Sequence, residues 1–538
     1  MIENPKPRRR RTILLAALLI TGFGVSGVEM SFIDQPGMMD ACYYYSGGLN
    51  LVRGQWDAEY FIWNFLDDSA ALPRPSYQYW MPLTSLVAAV GMTAFGEGFR
   101  QSQLMFLLLG AAFPCLVFLL GERLTGNLRI SVLAGFLAVF SGFYTVFWMN
   151  TESFLLYAWL GGLLILLAPK IASPSSRCLP FLAGILCGLA HMTRADGILF
   201  LATAGLALLA DRSLPNAAKG KRILQLVAGY LAAAGIWFAR NIAQWGGLFP
   251  PGTGKALWLT EYNDMFVLPS SAIGWERFLS NGAGSILSAR WDALLGNALT
   301  LVFVLGSVFL FPFLCRGAFL LRRTTELRMS GVYLLLIFVV MTVAYPFQGS
   351  RGGFLHSSAA LLSVAAVAAA AGVDDVVVRL SRWRNWPFAT AQLVLEGGFV
   401  LLALFASGMV FFNRVVGSDP THPEWSRRYG EYSLGAAKLT NLPSAPIKFI
   451  ANTPPCFHTA TGWEAIPVPY GGPEMLREAV ERYGIQFVIL DDNAPEELDP
   501  LFTGETEVPW LRRLFTDEYD GMTYVWFRVV RPIQEDAG

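Results

Sequence analysis

Long apolar segments recur along the chain from residue 13 to residue 412. A helix needs roughly 20 apolar residues to cross a bilayer, where only helices and closed barrels satisfy their backbone groups. Hydrophobic residues make up 54% of the chain and charged residues 15%, whereas soluble domains carry about 25% charged residues. The sequence therefore predicts a mostly α-helical, polytopic membrane protein with about 11 spans. These spans lie near residues 12–32, 104–120, 130–148, 153–168, 179–193, 197–210, 223–239, 296–314, 331–347, 355–372 and 391–412.

Basic residues concentrate in alternate loops between these spans, as in residues 8–11, 212–222 and 316–328. This positive-inside bias predicts that the N-terminus is cytoplasmic. We predict that the protein lies in the inner (plasma) membrane of the cell. The apolar stretch 82–95 is short, and counting it as a span would put the basic loops outside. We therefore predict that it is an interfacial helix within a long first external loop, residues 33–103. An odd number of spans then leaves the C-terminus outside the cytoplasm.

The apolar runs stop and charged residues become frequent after about residue 414. We predict a transmembrane domain over residues 1–413 and a small extracytoplasmic α/β domain over residues 414–538. Alternating or continuous apolar runs indicate strands, and an amphipathic pattern indicates a helix between two of them. The predicted strands cover residues 447–450, 486–490 and 524–530, and the predicted helix covers residues 473–483.

Composition excludes several classes of partner. The formal net charge is zero, so the sequence predicts no nucleic-acid partner. The six cysteines do not form the pattern of a disulfide framework. Only Cys42 and Cys456 would face outside, and we do not predict a bridge between them, although the topology permits one. No ligand-spaced cluster occurs among the four histidines, so no metal site is predicted, while a divalent metal stays open as a cofactor.

Charged side chains at the external membrane edge are the informative features, because ionisable groups near a bilayer are costly and are usually functional. In the predicted topology all of them lie at one face of the membrane, so carboxylates and cations converge on one external region. They are Asp34 and Asp40 after the first span, Glu152 in a short second external loop, Arg194 and Asp196 after the fifth span, and Arg351 and His356 before the tenth.

Each of these residues also has a structural interpretation. Asp34 or Asp40 could cap the helix that follows the first span. Glu152 could be favoured by the dipole at a helix N-terminus. Arg194 and Asp196 could form a plain interfacial ion pair. Their shared location, and no single residue, is what favours a functional site.

At these positions the sequence resembles the C-type membrane glycosyltransferases of family 39, which include protein O-mannosyltransferases and the aminoarabinose transferases that modify lipid A. The resemblance covers residues 13–413. Many members carry two adjacent acidic residues in the first loop, whereas Ala41 follows Asp40 here, so the second carboxylate stays open among Asp34, Asp57 and Glu59. The resemblance rests on Asp40 with Tyr43 and Tyr44, residues 79–83 (Tyr-Trp-Met-Pro-Leu), Glu152, residues 193–197 (Thr-Arg-Ala-Asp-Gly), and Arg351 with His356.

The resemblance implies transfer of a sugar from a polyprenyl-phosphate carrier to a lipid, glycan or protein acceptor, among membrane lipids and at the extracytoplasmic face. One carboxylate base acting in a direct displacement would invert the anomeric centre. We assign that role to Asp40, with Glu152 and Asp34 as further catalytic candidates. The cations predicted to bind the donor phosphate are Arg351, His356, Arg194 and Lys255, and further site candidates are Glu59, Tyr44 and Asp196.

Two other classes compete with this interpretation. A secondary transporter would show internal repeats and ionisable residues at mid-membrane, whereas here no convincing repeat is found and the span interiors are nearly free of charge, with Glu396 as the main exception. A non-catalytic membrane subunit with the same fold is the other alternative, because fold does not fix function.

None of the external charged positions lies in residues 414–538, so that domain is predicted to be dispensable for bond formation, with a role in acceptor capture or in covering the site.

Overall fold

The computed structural model describes residues 5–173, 178–440, 442 and 446–530. Residues 531–538 of the predicted C-terminal domain lie outside the described part of the chain. The membrane domain consists of helices, which we number in chain order. They are α1 (Pro5–Phe32), α2 (Met39–Val52), α3 (Leu83–Phe95), α4 (Phe99–Thr125), α5 (Leu128–Val139), α6 (Gly142–Trp148), α7 (Ser153–Ile171), α8 (Leu179–Thr193), α9 (Ala195–Ala210), α10 (Asn216–Trp245), α11 (Trp275–Ser280), α12 (Gly282–Leu305), α13 (Phe311–Leu321), α14 (Thr325–Ala344), α15 (Pro346–Arg384) and α16 (Phe388–Val416).

Within the described residues, eight helices are long and apolar enough to cross a membrane, namely α1, α4, α7, α10, α12, α14, α15 and α16. Helices α5 and α6 form a ninth span if they are taken together, with a bend of 45° between them. The predicted spans near residues 179–193 and 197–210 correspond to α8 and α9, which are apolar but shorter. The predicted polytopic helical bundle is confirmed.

The predicted span near residues 296–314 is wrong in its bounds. Helix α12 begins at Gly282 and ends in a π-helical turn, and α13 starts separately at Phe311. Between them Ser307 and Val308 have positive φ angles of 42° and 58°, a conformation in which a helix cannot continue. Apolar composition runs through this break without interruption, which is why hydropathy alone did not reveal it.

The first external loop contains α2 and α3, which pack against each other and, through α3, against α4. Helix α3 has 13 residues and follows Pro82, which occupies its N-cap position. A helix of that length is too short to span a bilayer. Its interfacial placement stays a prediction.

A second long loop joins α10 to α12 and contains short 3₁₀ segments at Lys255–Trp258, Tyr262–Phe266 and Ser270–Ala272. Buried Asp264 fixes the middle segment, because its carboxylate accepts hydrogen bonds from the backbone N–H groups of Thr260 and Glu261 at 2.9 and 3.1 Å. Arg277 pairs with the same carboxylate at 2.9 Å. Tyr262 is thereby held on an ordered turn.

The C-terminal domain is a five-stranded sheet with helices packed on it. Its sheet order is β2-β1-β3-β5-β4, with β1 parallel to β2 and β3, and with β5 antiparallel to β3 and β4. The strands and the helix that the sequence predicted here are present. The elements are α17 (Glu424–Arg427), α18 (Gly430–Ala437), β1 (Lys448–Ile450), α19 (Pro454–Thr461), β2 (Glu464–Ile466), α20 (Pro473–Tyr483), β3 (Phe487–Asp491), α21 (Asp499–Thr503), β4 (Leu511–Tyr519) and β5 (Met522–Val529).

The C-terminal domain is fastened to the first external loop. A disulfide joins Cys42 of α2 to Cys456 of α19 across 414 residues of sequence, so our expectation of no bridge was wrong. The amide of Ile62 also donates to the carbonyl of Ala465 at 2.8 Å, which adds a short extra strand pairing beside β2. Sequence could not select this bridge, because the pairing depends on how two distant segments dock.

Candidate active site

Three side chains from three separate segments meet at one end of the helical bundle. Asp40 lies in the first turn of α2, Glu152 directly precedes α7, and His356 lies in α15. One ligand atom from each lies within 4.8 Å of the others. The distance from His356 Nε2 to Asp40 Oδ2 is 3.8 Å. The predicted convergence of these residues is observed.

Hydrogen bonds between the first and second external loops hold Glu152 beside Asp40. The Thr151 hydroxyl donates to the carbonyl of Ala41 at 2.8 Å, and the Asn150 side-chain amide donates to the carbonyl of Pro36 at 2.7 Å. The N-cap residue of α2 is Met38, so the interpretation of Asp40 as a helix cap is wrong. Asp40 instead sits one position inside the helix, with its side chain half-buried against the bundle.

His356 is held in place by its neighbours. Its ring stacks on Phe154 with a centroid distance of 3.9 Å and an interplanar angle of 19°. The Ser153 hydroxyl lies 3.3 Å from its Nδ1 atom. This arrangement leaves Nε2 directed at the Asp40 carboxylate, and it explains how a lone histidine in an apolar run becomes part of the site.

Arg194 supplies positive charge to this group of carboxylates. It pairs with Asp196 through Nε and Nη2, at 3.1 and 3.3 Å, and also donates to the carbonyl of Gly353 at 3.3 Å. Burial lowers the pKa of Arg194, but Asp196, Tyr157 and Tyr44 outweigh it, so the pKa lies above its usual value. The predicted ion pair with Asp196 therefore exists and lies within the site.

Burial shifts the protonation of both carboxylates. It raises the pKa of Asp40 to about 6, although the nearby Arg194 charge partly opposes this. Burial also raises the pKa of Glu152 well above its usual value, and the adjacent Asp40 carboxylate adds to the shift. Tyr44 lies beside the same charges, and burial together with Asp40 raises its pKa. Two adjacent carboxylates whose pKa values are both raised resist joint ionisation.

Other predicted carboxylates lie elsewhere. Asp34 is exposed in the link between α1 and α2 and is not part of the group that Asp40, Glu152 and His356 form. Glu59 is buried and paired with Arg74 at 2.6 Å, and Asp57 pairs with Arg240. The Glu59 pair is therefore internal to the segment between α2 and α3, and the Asp57 pair joins that segment to α10.

The basic residues predicted to bind the donor phosphate do not all lie together. Lys255 donates to the Ser270 hydroxyl within its own loop and has no contact with Asp40. Arg351 lies at a kink in α15, where Gly352 has a φ of 100°. Its guanidinium lies over the ring of Tyr262 at 4.7 Å from the centroid. The kink turns Arg351 away from the helix axis and into a space between the two domains.

That space is a cavity of about 380 Å³ between the membrane domain and the C-terminal domain. Sequence analysis predicted that the C-terminal domain captures the acceptor or covers the site, but it named none of the residues that this domain contributes, because asparagine and tyrosine residues after short strands carry no distinctive motif. Its lining comprises Tyr262, Asn263, Phe266, Arg351, Asn452, Val468, Tyr470, Asn493 and Pro495.

The grouping of Asp40, Glu152 and His356 fits a divalent cation. Two carboxylates and one imidazole are donors that manganese, zinc and related ions accept. The Glu152 Oε2 atom is buried without a hydrogen-bond partner among the described residues, and an unsatisfied buried oxygen of this kind needs a partner. Sequence analysis predicted no metal site, because these three residues are spread over more than 300 positions.

Comparison with known proteins identifies the fold. No protein-family profile matches the chain, and no curated protein matches it in sequence. The solved structure of ArnT from Cupriavidus metallidurans bound to undecaprenyl phosphate is similar, with a TM-score of 0.57 and 15% identity over 96% of this chain and 97% of that one. The apo structure of ArnT gives a TM-score of 0.55 at the same identity and coverage.

An archaeal oligosaccharyltransferase, AglB from Archaeoglobus fulgidus, is also similar. Its structure, solved in complex with an inhibitory peptide and a dolichol-phosphate, gives a TM-score of 0.55 and 13% identity over 96% of this chain and 74% of that one. The chain therefore has the fold of the C-type polytopic membrane glycosyltransferases, and the predicted resemblance is confirmed at the level of fold.

Proposed function

We propose that the protein transfers a sugar from a polyprenyl-phosphate carrier to an acceptor at the extracytoplasmic face of the membrane. The observation that carries this proposal is the meeting of Asp40, Glu152, His356 and Arg194 at one end of the bundle. A buried carboxylate beside fixed cations suits removal of a proton from an acceptor hydroxyl and stabilisation of a departing phosphate. Solved structures with this fold hold dolichol-phosphate or undecaprenyl phosphate.

In this mechanism the acceptor oxygen attacks the anomeric carbon while Asp40 takes the hydroxyl proton. The bond between that carbon and the phosphate oxygen breaks, and polyprenyl phosphate leaves with the electron pair. A single displacement of this kind inverts the anomeric centre. Arg194 and Arg351 are placed to offset the negative charge that grows on the phosphate, because guanidinium groups bind phosphate oxygens in pairs.

A divalent cation would be held by Asp40, Glu152 and His356, and it would supply Lewis-acid stabilisation of the phosphate oxygens. Independently of that ion, two carboxylates as close as those of Glu152 and Asp40 resist joint ionisation. The Nε2 atom of His356 faces the Asp40 carboxylate at 3.8 Å. The stacked Phe154 keeps the imidazole in that position.

The orientation of the protein follows from two observations. The loops that lie on the same side of the membrane as the N-terminus are rich in basic residues, which indicates that the N-terminus is cytoplasmic. The Cys42–Cys456 disulfide suits an oxidising compartment. We therefore place the C-terminal domain outside the cytoplasm. We expect a reporter that is active only outside the cytoplasm to work when fused after Val530 and to fail when inserted at Arg212. The reverse pattern would contradict the placement of the whole site.

Release of polyprenyl phosphate is the direct test of the proposed function. The purified protein in lipid is incubated with a panel of polyprenyl-phosphate pentoses and hexoses, and free polyprenyl phosphate is measured with water or a total glycolipid and glycan extract as acceptor. A glycosyltransferase releases it from at least one donor. A transporter or a non-catalytic subunit leaves every donor intact, and that result would refute the proposal.

The pH profile of the reaction tests the role of Asp40. Because burial raises the pKa of Asp40 to about 6, its carboxyl is protonated below that pH and cannot accept the acceptor proton. We expect kcat/KM to fall as the pH drops through about 6, with Asp34→Asn showing the same profile. An acid limb near the ordinary carboxyl range, around pH 4, would contradict the assignment.

A further inference from the structure

The cavity between the domains is built at one edge of the C-terminal sheet. Strands β1, β2 and β3 are parallel, so their carboxyl ends point the same way. The residues that follow these ends, Asn452, Val468, Tyr470 and Asn493, all line the cavity. In parallel sheets ligands bind in the crevice outside the carboxyl ends of the strands. The sheet therefore presents its usual binding edge to the membrane domain.

The asparagines at this edge are oriented by a buried carboxylate. Asp491, at the end of β3, is 6% exposed. Its Oδ1 accepts from the side-chain amide of Asn452 at 3.0 Å and from the backbone N–H of Asn493 at 2.9 Å. The amide oxygen of Asn452 is thus left for another partner, and the side chain of Asn493 extends from an anchored turn.

The opposite wall comes from the membrane domain and reaches toward the carboxylate site. Tyr262 lies under the guanidinium of Arg351. Arg351 lies in α15 five residues before His356, whose Nε2 atom is 3.8 Å from the Asp40 carboxylate. The cavity and the carboxylate site are therefore neighbours along α15.

A covalent link fixes the distance between the two. Cys42 follows Asp40 by two residues in α2, and Cys456 follows Asn452 by four residues at the start of α19. Their disulfide joins the helix that carries the carboxylate to the strand end that carries the asparagine. A ligand in the cavity is thereby held at a defined position relative to Asp40.

We propose that this cavity is a sugar-binding subsite in which Asn452, Asn493 and Tyr470 recognise a monosaccharide unit of the substrate. The proposal rests on the proposed function. Amide groups donate and accept hydrogen bonds, as sugar hydroxyls require, and tyrosine offers both a ring face and a hydroxyl group. The volume lies within the range of small-molecule sites. Asp491 acts as a positioning residue for the two asparagines.

The sugar has two sources, the donor headgroup and a glycan acceptor, and the experiment separates them. Full-length protein in lipid is compared with Asn452→Ala and Asn493→Ala, and Arg512→Ala on β4, at the far edge of the sheet, serves as control. Non-reducing electrophoresis verifies that each variant retains the Cys42–Cys456 disulfide and hence the docked domain. Binding of undecaprenyl phosphate alone is measured beside binding of undecaprenyl-phosphate pentoses and hexoses.

A donor-sugar subsite predicts that each asparagine variant binds the sugar-bearing lipid about three- to tenfold more weakly, with binding of undecaprenyl phosphate unchanged. An acceptor subsite predicts unchanged donor binding and unchanged hydrolysis of the donor, with transfer to a total glycolipid and glycan extract reduced by the same factor. Either result supports the subsite, and Arg512→Ala matches wild type in both.

If both asparagine variants bind the donor, hydrolyse it and transfer its sugar as the wild type does, the subsite proposal is wrong. The proposed function would be unaffected by that result. Absence of turnover in the wild-type protein with the whole panel would instead refute the proposed function, and the subsite would fall with it. If the alanine variants lose the disulfide, the same measurements are made on Asn452→Ser and Asn493→Ser, which keep a hydroxyl donor beside Asp491. These variants lose the amide group, and normal sugar binding by both would equally overturn the proposal.

Discussion

Replacing Asp40 by asparagine should abolish turnover while leaving the protein folded and able to bind its donor. Asparagine keeps the size of the side chain but cannot accept a proton. A positioned general base contributes about 10²–10⁴-fold to a rate, so we expect kcat to fall by that factor. The measurement is release of polyprenyl phosphate from the best donor of the panel, with binding of undecaprenyl phosphate measured in parallel.

Asp34→Asn is the matched control, because Asp34 is exposed six residues earlier and lies outside the group around His356. It should retain nearly the wild-type rate. Retention of more than about a tenth of the rate in Asp40→Asn would remove the general-base role. A large loss of undecaprenyl-phosphate binding with little change in kcat would place Asp40 in donor binding instead.

The membrane fold could be predicted from sequence because every span must be long and apolar enough to cross the bilayer. Long apolar helices and alternate basic loops follow from that rule, and they identified most of the bundle. The rule fails where irregular backbone is buried inside the protein. The break between α12 and α13 is such a place, since Ser307 and Val308 interrupt a helix without any change in apolar composition.

The site could be predicted only in part. Charges at the membrane edge are so costly that Asp40, Glu152, Arg194 and His356 stood out before their distances were known. Sequence alone could not show that Glu59 and Lys255 lie outside this group, because it does not reveal which charged residues pair with a local partner. Glu59 lies in a buried pair with Arg74, and Lys255 bonds within its own loop.

The particular residues that the C-terminal domain contributes could not be predicted from sequence, for a different reason. Asn452 and Asn493 acquire their position from a parallel sheet, and the sheet acquires its position from a disulfide and from backbone pairing at Ile62. The disulfide joins segments 414 residues apart in sequence. Amide side chains also cost less to desolvate than charged ones, so they are less conspicuous near a membrane.

Replacing Arg194 by glutamine is expected to have the second largest effect. Removing one fixed donor to a developing negative charge typically costs about 10²–10³ in kcat. Because Arg194 also lowers the pKa of Asp40, its loss should raise that pKa further above 6. The acid limb of the kcat/KM profile should therefore move to higher pH, a change that a purely structural role would not produce.

Arg240→Gln provides the control for a lost external arginine, because Arg240 pairs with Asp57 away from the carboxylate site. Its acid limb should coincide with that of the wild type. Arg194→Lys should restore the acid limb, since the positive charge returns, but only part of kcat, because an ammonium cannot reproduce the paired guanidinium contacts with Asp196. An unshifted acid limb and a nearly normal rate in Arg194→Gln would reduce Arg194 to the partner of Asp196. The charge on the leaving phosphate would then have to be met by Arg351 alone among the arginines assigned to it.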